Sequence, residues 1–358
     1  MPSSLDSINL TSYQRLIKLI PLLGLIYGLN LLNGCRQTSQ WVPLNGSTMG
    51  TYYTVHYWSH SKLPTASALQ QALEQRLERI NQLMSTYRPQ AEISRFNQSQ
   101  MIDQPFPMAV ETLTVIREAV RIHQLTEGAL DITMGPLVNL WGFGPTPPSP
   151  NRLPRDTDID QYRTWTGINQ LNLHQQAVSK KIPQLSLDLS AIGKGYGVDY
   201  LADYLDELGI EHYLINIGGE IRCKGNNPQN QPWRIAIENP LDPAKPPVRS
   251  LGYSNGAMAT SGDYRIYFEH ENIRYAHTLD PRTGKPITHA LISATVLHPS
   301  CMTADGLATA FLVLGPEKAL SIANQQQIPL MLLIKTADGI TERYSNAFQP
   351  YLTQLRER

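Results

Sequence analysis

Hydrophobic residues recur every three or four positions in several segments of the chain, the spacing that places them on one face of a helix. Residues 68–85 and 108–128 show this pattern, and Gly128 is a natural stop for the second helix. Shorter stretches with the same period predict helices over 198–208 and 316–326. In the first helix the apolar face consists of Leu69, Leu73, Leu77, Ile80 and Leu83.

Other segments alternate apolar and polar residues or form short apolar runs, which predicts β-strands. Strands are expected over 51–58, 212–225, 232–240, 273–280 and 330–335. Residues 142–158 are rich in proline, which predicts a surface loop. Helices and strands are mixed without a strict βαβ rhythm and without an internal repeat, so the predicted fold class is α+β, in a single mixed domain.

The balance of charged residues gives no reason to expect a polyanionic partner. The chain has 358 residues, with 30 Lys and Arg against 30 Asp and Glu, so its formal net charge is zero. Nothing in this balance favours a polyanionic partner, and no nucleic-acid binding is expected. The length is sufficient for one large core or two smaller ones.

The first 35 residues form a segment of their own. A basic start, an apolar run and the sequence LNGC ending at Cys35 are typical of a secretory signal with a lipobox. The predicted boundaries are a signal peptide at 1–34, a tether at 35–45 and a folded domain at 46–358. Lipidation of Cys35 would hold the exported protein at the outer face of the bacterial cytoplasmic membrane, on the periplasmic side. An uncleaved anchor, or a signal cut elsewhere, is the alternative.

Asp305 and Thr309 are the first candidate site residues. They lie four positions apart in an apolar segment, and on a helix that spacing places both side chains on one face. A carboxylate and a hydroxyl offer the oxygen ligands that Mg²⁺ prefers. The alternative is structural, with Asp305 favoured by the helix dipole in the first turn and Thr309 bonded to the preceding turn.

The glycine-rich segment 187–199, LDLSAIGKGYGVD, is a second candidate. It is predicted to run from a strand through a glycine turn into a helix, with Asp188 at the end of the strand. Such turns let backbone N–H groups approach a phosphate at a helix N-terminus, and Lys194 adds a positive charge. A tight turn packed under a sheet is the alternative.

Two further segments carry candidate side chains. His277 lies near the end of a predicted strand, before a Pro/Gly turn, where an imidazole could act as a general base or be merely structural. After Asp131, the segment reaches Trp141 and Phe143, which flank a glycine. Aromatic loops of this kind can form the wall of a site for a flat ring, or can pack in the core.

Taken together, these segments resemble the ApbE family, the FAD:protein FMN transferases, also described as flavin transferases. Eight blocks occur in family order: STMGTYYTV, MSTYRPQAEISRFN, GALDITMGPLVNLWGFGP, LDLSAIGKGYGVD, INIGGEIRCKG, SGDYR, HTLDPRTGKPI and MTADGLATAFLVLG. The resemblance runs from about residue 46 to the last strand, and a lipoprotein signal fits many members of the family. It implies an ApbE-type, T-fold-like domain over 46–358.

The resemblance implies a Mg²⁺-dependent enzyme, with Mn²⁺ as the other metal, that takes FAD as substrate and splits its pyrophosphate. FMN moves to a threonine or serine hydroxyl of a target flavoprotein as a phosphoester, and AMP is released. Implied acceptors are subunits of membrane redox complexes and other exported flavoproteins with a short Ser/Thr-Gly-Ala-Ser/Thr motif. An FAD pyrophosphatase giving FMN and AMP, and a non-catalytic flavin-binding lipoprotein, are the alternatives.

The resemblance also implies roles for individual residues. Mg²⁺ is expected to be held by Asp305, Thr309 and the backbone carbonyl of Ala191, and the expected catalytic residues are His277 and Asp305. The FAD site is expected to be lined by Met49, Tyr87, Ala129, Leu130, Asp131, Asp188 and Lys194. An aromatic residue and a proline are common in the family where Leu130 and Ile132 stand here, which would alter the shape of the flavin pocket.

Overall fold

The computed structural model describes residues 39–145, 153–242, 244–263, 267–271 and 273–353. The predicted signal peptide and Cys35 lie outside these ranges. The described residues fall into a small unit, 39–40 with Ser59–Leu63, and a large unit formed by Trp41–Trp58 and the chain from Pro64 onward. Within the described ranges, no helix combines the length and the apolar character needed to cross a membrane.

The described part of the chain contains one large β-sheet and several small ones. Its strands are β1 Gln40–Thr48, β2 Thr51–Ser59, β3 Phe106–Pro107, β4 Leu171–Leu173, β5 Ala177–Lys180, β6 Tyr213–Ile217, β7 Glu220–Lys224, β8 Trp233–Ile237, β9 Arg249–Tyr253, β10 Gly256–Gly262, β11 Tyr267–His270, β12 Ile273–Ala276, β13 Leu279–Asp280, β14 Lys285–Pro286, β15 Leu291–His298, β16 Leu330–Thr336 and β17 Gly339–Tyr344. The large sheet has the order β1-β2-β6-β7-β10-β15-β16-β17. From β2 onward its neighbouring strands are antiparallel.

The described helices, in chain order, are α1 Ala66–Met84, α2 Glu92–Gln98, α3 Val110–Leu125, α4 Gly135–Leu140, α5 Asp156–Arg163, α6 Ser190–Glu207, α7 Cys301–Leu314, α8 Pro316–Gln325 and α9 Gln349–Thr353. The helices predicted from periodicity are confirmed as α1, α3, α6 and α8. Thr65 caps α1 by accepting a hydrogen bond from the backbone N–H of Ala68 at 3.3 Å.

The large sheet separates two hydrophobic clusters. Residues alternate between its faces, since Met258 of β10 belongs to one cluster and Ala259 to the other. One face packs against α1, α3, α7 and α8, and the other packs against the β8–β9 hairpin and Phe348. Because helices cover one face of an antiparallel sheet, the predicted α+β class is confirmed.

The glycine-rich segment differs from its prediction. Helix α6 begins at Ser190, so all three glycines lie within the helix rather than in a turn before it, and an isolated bridge takes the place of the expected preceding strand. The prediction was wrong because Gly195, the middle glycine, serves close helix packing rather than a turn. A Cβ on Gly195 would lie 2.3 Å from the carbonyl oxygen of Cys301 and 2.7 Å from Cβ of Asp305, so only glycine permits this approach of α6 to α7.

Asp199, on α6, fixes the start of α7. Its carboxylate accepts hydrogen bonds from the backbone N–H groups of Cys301 and Met302, both at 3.0 Å, and from the Ser300 hydroxyl at 2.7 Å. The same carboxylate accepts a hydrogen bond from Arg222 at 2.8 Å. A carboxylate from a neighbouring helix thus satisfies N–H groups that α7 itself leaves unpaired, which holds the two helices in register.

Two segments predicted to be irregular contain regular structure. Strand β1 begins at Gln40, inside the segment expected to be a tether, and its Leu44 is buried. Helix α5 begins at Asp156, inside the Pro-rich segment, where Ile159 is buried. A buried apolar side chain in each element, Leu44 in β1 and Ile159 in α5, gives it a tertiary contact that composition does not reveal.

Candidate active site

Asp305 is buried in the middle of the contact between α6 and α7. Helix α7 begins at Cys301, so Asp305 lies in its second turn, and the expectation of a first-turn residue is wrong. The side chain is 3% exposed. Its Oδ2 accepts a hydrogen bond from the backbone N–H of Gly195 at 2.9 Å, so the carboxylate is oriented by the neighbouring helix rather than by its own helix end.

Lys194 lies between two buried carboxylates. Its Nζ is 2.8 Å from Oε1 of Glu220 and 3.9 Å from Oδ1 of Asp305. Burial raises the pKa of Asp305, which Lys194 opposes and the charge of Glu220 reinforces. Although burial lowers the pKa of Lys194, the two carboxylates more than offset this and raise it above its ordinary value. The ammonium of Lys194 is therefore held in its charged form between Glu220 and Asp305.

Two further oxygens complete this part of the site. The Thr309 hydroxyl lies 2.9 Å from the Ser261 hydroxyl of β10, and either can donate. In an α-helix the N–H of one residue points to the carbonyl four residues earlier, so the Ala191 carbonyl faces the N–H of Gly195, the same group that donates to Asp305. Asp305 and the carbonyl of Ala191 thus both lie beside the N–H of Gly195, while Thr309 lies one turn along α7 and contacts β10.

The charge of this cluster suits a cation. Asp305 and Glu220 share a single ammonium, and Oε2 of Glu220 is buried without a hydrogen-bond partner among the described residues. Over the same ranges no three His, Cys, Asp or Glu side chains converge on one point. A cation here would therefore need hydroxyl and carbonyl oxygens in addition to Asp305, which is the mixed set of hard ligands that Mg²⁺ accepts.

Asp188 lies directly before α6 and joins two of the predicted FAD segments. Its Oδ1 accepts a hydrogen bond from the backbone N–H of Ser190 at 2.8 Å, and its own N–H donates to the carbonyl of Ile132 at 2.8 Å. Beside Ile132, Asp131 accepts hydrogen bonds from the N–H and the hydroxyl of Thr133, at 2.8 and 2.6 Å. The 129–133 loop is therefore attached to the start of α6.

The side chains of Ala129 and Leu130 lie in the hydrophobic core. Both residues are 2% exposed and belong to the hydrophobic core. A Cβ on Gly306 would lie 3.3 Å from Cδ2 of Leu130, which places the leucine under α7. Their contribution to a flavin site would come from the backbone, so the aliphatic residue at 130 affects core packing.

Tyr87 and His277 are connected through Phe143. The Tyr87 hydroxyl donates to the carbonyl of Phe143 at 3.2 Å, and the Phe143 ring meets the His277 ring edge-on at 6.3 Å. Tyr87 is 67% exposed. Partial burial of the phenol and the charge of Asp188 raise the pKa of Tyr87.

Met49 occupies the turn between β1 and β2, with φ of 49°. Its side chain lies over α6, since a Cβ on Gly197 would be 2.8 Å from Cε of Met49. Residues predicted to bind FAD or the metal therefore lie along α6. Asp188 directly precedes the helix, Ala191 and Lys194 lie in its first turns, and Met49 packs against Gly197.

Sequence reasoning did not nominate Glu220 and Ser261. Both lie in blocks of the family pattern, in INIGGEIRCKG and SGDYR. Glu220 had a usable signal, because a carboxylate directly after two glycines at the start of an apolar strand is unusual. Its 3% exposure and its ion pair with Lys194 were visible only in the fold.

Comparison with known proteins gives consistent results. Residues 49–332 match the model of the ApbE family. The chain is 48% identical over 324 residues to an FAD:protein FMN transferase from Vibrio cholerae, which covers 90% of this chain and 96% of the relative. An FAD:protein FMN transferase from Escherichia coli K12 is 36% identical over 313 residues, or 86% of this chain and 88% of the relative.

Solved structures agree with the fold. The flavin transferase ApbE from Vibrio cholerae matches with a TM-score of 0.82 at 47% identity, over 87% of this chain and 99% of that chain. The apo form of the flavinyl transferase ApbE from Pseudomonas stutzeri matches with a TM-score of 0.81 at 36% identity, over 87% and 97%. The likeness extends over nearly the full length of these proteins.

Proposed function

This chain belongs to the ApbE family, and from that premise we infer that it is an FAD:protein FMN transferase. In this reaction a serine or threonine hydroxyl of an acceptor protein attacks the FMN phosphorus of FAD. The new phosphoester forms as the pyrophosphate bond breaks, and AMP leaves. The observation that carries the inference is the buried cluster of Asp305, Lys194 and Glu220, in a chain that matches such transferases almost from end to end.

We further propose that Mg²⁺, or Mn²⁺ in its place, is held by Asp305, Thr309 and the carbonyl of Ala191. Two carboxylates that share one ammonium, and Oε2 of Glu220, which has no hydrogen-bond partner among the described residues, support this assignment. When bound, such an ion neutralises charge on the pyrophosphate, which is the principal need of phosphoryl transfer. The residues themselves supply the orientation: Gly195 fixes Oδ2 of Asp305, and Ser261 fixes the hydroxyl of Thr309.

The proposed FAD residues surround the start of α6. Lys194 offers a permanent positive charge to a phosphate oxygen, and its side chain is 32% exposed, so a substrate can reach it. Asp188, Tyr87 and Met49 lie close to the same helix and would contact FAD. The backbone of 129–131 would add N–H and carbonyl groups along the flavin.

His277 is the proposed general base. It lies beside Phe143, whose carbonyl accepts the hydroxyl hydrogen of Tyr87. This proximity to Phe143 and Tyr87 supports the proposal. In the proposed step an imidazole nitrogen takes the hydroxyl proton of the acceptor as its oxygen bonds to phosphorus.

The location and the acceptor are also proposals. The LNGC sequence supports a protein that is exported and held by lipid on Cys35 at the periplasmic side of the membrane. Acceptors would be exported flavoproteins, such as subunits of membrane redox complexes. Such a location would place the enzyme beside substrates that share its compartment.

The direct test is transfer itself. The purified chain without its signal is incubated with FAD, Mg²⁺ and a domain carrying the Ser/Thr-Gly-Ala-Ser/Thr motif, and flavin fluorescence of the acceptor is read in a denaturing gel. Covalent fluorescence that requires FAD and the motif hydroxyl is expected. Release of free FMN and AMP with no labelled acceptor would instead identify an FAD pyrophosphatase.

A further inference from the structure

A cavity lies on one side of β12, and Trp141 and Phe143 lie on the opposite side of this strand. It has a volume of about 380 Å³. Its wall includes Leu241, Asp263, Arg274, Ala276, His289 and Lys335. None of the residues proposed to bind FAD or the metal lines it, so it is a separate feature of the large unit.

Three polar atoms in this cavity are buried without a hydrogen-bond partner among the described residues. They are Oδ1 of Asp263 and both ring nitrogens of His289. An unsatisfied buried polar group costs about 1–3 kcal/mol, so natural folds rarely retain several at one place without a water, an ion or a ligand to pair with them. Together they offer a hydrogen-bond acceptor and an imidazole that can both donate and accept.

The charged groups around the cavity are mixed. Burial raises the pKa of Asp263, while Arg274, His289 and His277 lower it. His289 also lies near Asp280. Arg274 donates a hydrogen bond to the carbonyl of Asp263, and its guanidinium lies 3.9 Å from the ring centroid of Tyr267. A ligand with both donors and acceptors suits this wall better than a simple anion or cation.

The cavity adjoins the proposed base. Arg274 and Ala276 line it, whereas the intervening Tyr275 stacks on Trp141 with ring centroids 5.9 Å apart. His277 follows directly after Ala276 and contacts Phe143 on the aromatic side. One residue of extended chain spans ~3.3 Å, so a polypeptide seated in the cavity would pass from one side of β12 to the other to bring a hydroxyl to His277.

We propose that this cavity binds the acceptor polypeptide, taking the residues that flank the hydroxyl that receives FMN. The proposal rests on the transferase function inferred above. Asp263 accepts hydrogen bonds from N–H groups of the acceptor segment, and His289 bonds its carbonyl groups or polar side chains. The rim includes the half-exposed Leu241 and the exposed Lys335, so the segment can enter from solvent.

The test uses the chain without its signal, with His289→Ala, His289→Gln and Asp263→Asn as variants and the exposed His56→Ala as the matched control. Transfer is measured at saturating FAD against the concentration of the motif-bearing acceptor domain. Loss of one such hydrogen bond corresponds to about tenfold in affinity. We therefore expect the KM for acceptor to rise about tenfold or more in His289→Ala and Asp263→Asn. In His289→Ala the kcat and the Kd for FAD should stay within about threefold of the wild type, and His289→Gln should partly restore the KM for acceptor.

Binding of the acceptor domain without FAD, followed by calorimetry, separates this proposal from the proposed function. If the wild type binds the acceptor but transfers nothing, and His289→Ala loses that binding, the transferase function fails and the docking site stands. An unchanged KM and unchanged acceptor binding in variants that melt like the wild type would overturn the docking site. Loss of FAD affinity in parallel with acceptor affinity would overturn it equally, since the cavity would then belong to the FAD site.

Discussion

The backbone N–H of Gly195 donates a hydrogen bond of 2.9 Å to Oδ2 of Asp305, across a helix contact too close for any other side chain at position 195. This contact brings Lys194 and the carbonyl of Ala191 to the same carboxylate. The glycine therefore determines both the packing of α6 on α7 and the orientation of the proposed metal ligand.

Gly195→Ala should lower the free energy of unfolding by about 1–3 kcal/mol, because its Cβ would overlap backbone and side-chain atoms of α7. Gly193→Ala is the matched control, since a Cβ there meets nothing within 4 Å. It should be neutral or stabilise by up to about 1 kcal/mol, as alanine favours a helix. Urea denaturation measures both, and equal destabilisation of the two variants would contradict the packing argument.

Asp305→Asn should preserve the fold and remove most of the metal dependence. Asparagine keeps an acceptor for the N–H of Gly195, whereas alanine would leave a cavity at a residue only 3% exposed. Transfer should fall at least about 100-fold, because the cation would lose its only proposed carboxylate ligand. Rates are measured against Mg²⁺ concentration, with the exposed Asp203→Asn on α6 as control, and normal Mg²⁺-dependent transfer would show that the metal is held elsewhere.

His277→Gln should separate catalysis from binding. Glutamine can occupy the place of the ring but cannot act as a base, so transfer should drop by ~10²–10⁴. The Kd for FAD should change only a few-fold, because the proposed FAD contacts come from other segments. The wild-type rate should rise with pH through an apparent pKa that the variant lacks. A variant that loses FAD binding as severely as transfer would make His277 a binding residue.

Lys180 is buried and holds the loop that leads to Asp188. Its Nζ donates to the carbonyls of Asn97, Pro183 and Leu185, at 3.1, 3.0 and 3.2 Å. Lys180→Met should lower the free energy of unfolding at pH 7 by about 1–3 kcal/mol, because three buried carbonyls lose their donor. The exposed neighbour Lys181→Met is the matched control and should change little.

Lys180 also makes stability depend on pH. Burial lowers the pKa of Lys180 to about 8, below its unfolded value of 10.5, so between these values the unfolded chain binds more protons. The free energy of unfolding from this group therefore rises with pH from about 8 to 10.5, by up to ~3 kcal/mol. The wild type should gain stability over this range relative to Lys180→Met in denaturant titrations. A constant difference would mean that the carbonyls keep the pKa near its ordinary value.

Cys35→Ser should abolish lipidation and leave the soluble domain active. Thioether attachment of lipid requires the cysteine sulfur, and Cys35 lies before the first described strand. Incorporation of labelled palmitate in cells is the measurement, with transfer by the purified domain as the control. Equal labelling of both forms would favour an uncleaved anchor or a different cleavage site.

The amino-acid sequence was sufficient to predict the helices and strands with strong periodicity and the family. Leu69, Leu73 and Leu77 form the buried face of α1, because their spacing places all three on one side of the helix. The same helical period predicted that the side chains of Asp305 and Thr309 lie on one face of a helix. Eight ordered blocks were sufficient for the family because each carries residues that core packing alone does not require.

The contacts between these elements could be seen only in the fold. Glu220 and Asp305 are distant in sequence, and their shared contact with Lys194 arises from the way β7, α6 and α7 pack. The prediction that the glycines of α6 form a turn was wrong for the same reason. Local propensity favours glycine in a turn, and only the approach of Cys301 and Asp305 shows that Gly195 must lack a side chain inside a helix. The unpaired atoms of Asp263 and His289 are likewise a property of burial, which no local pattern encodes.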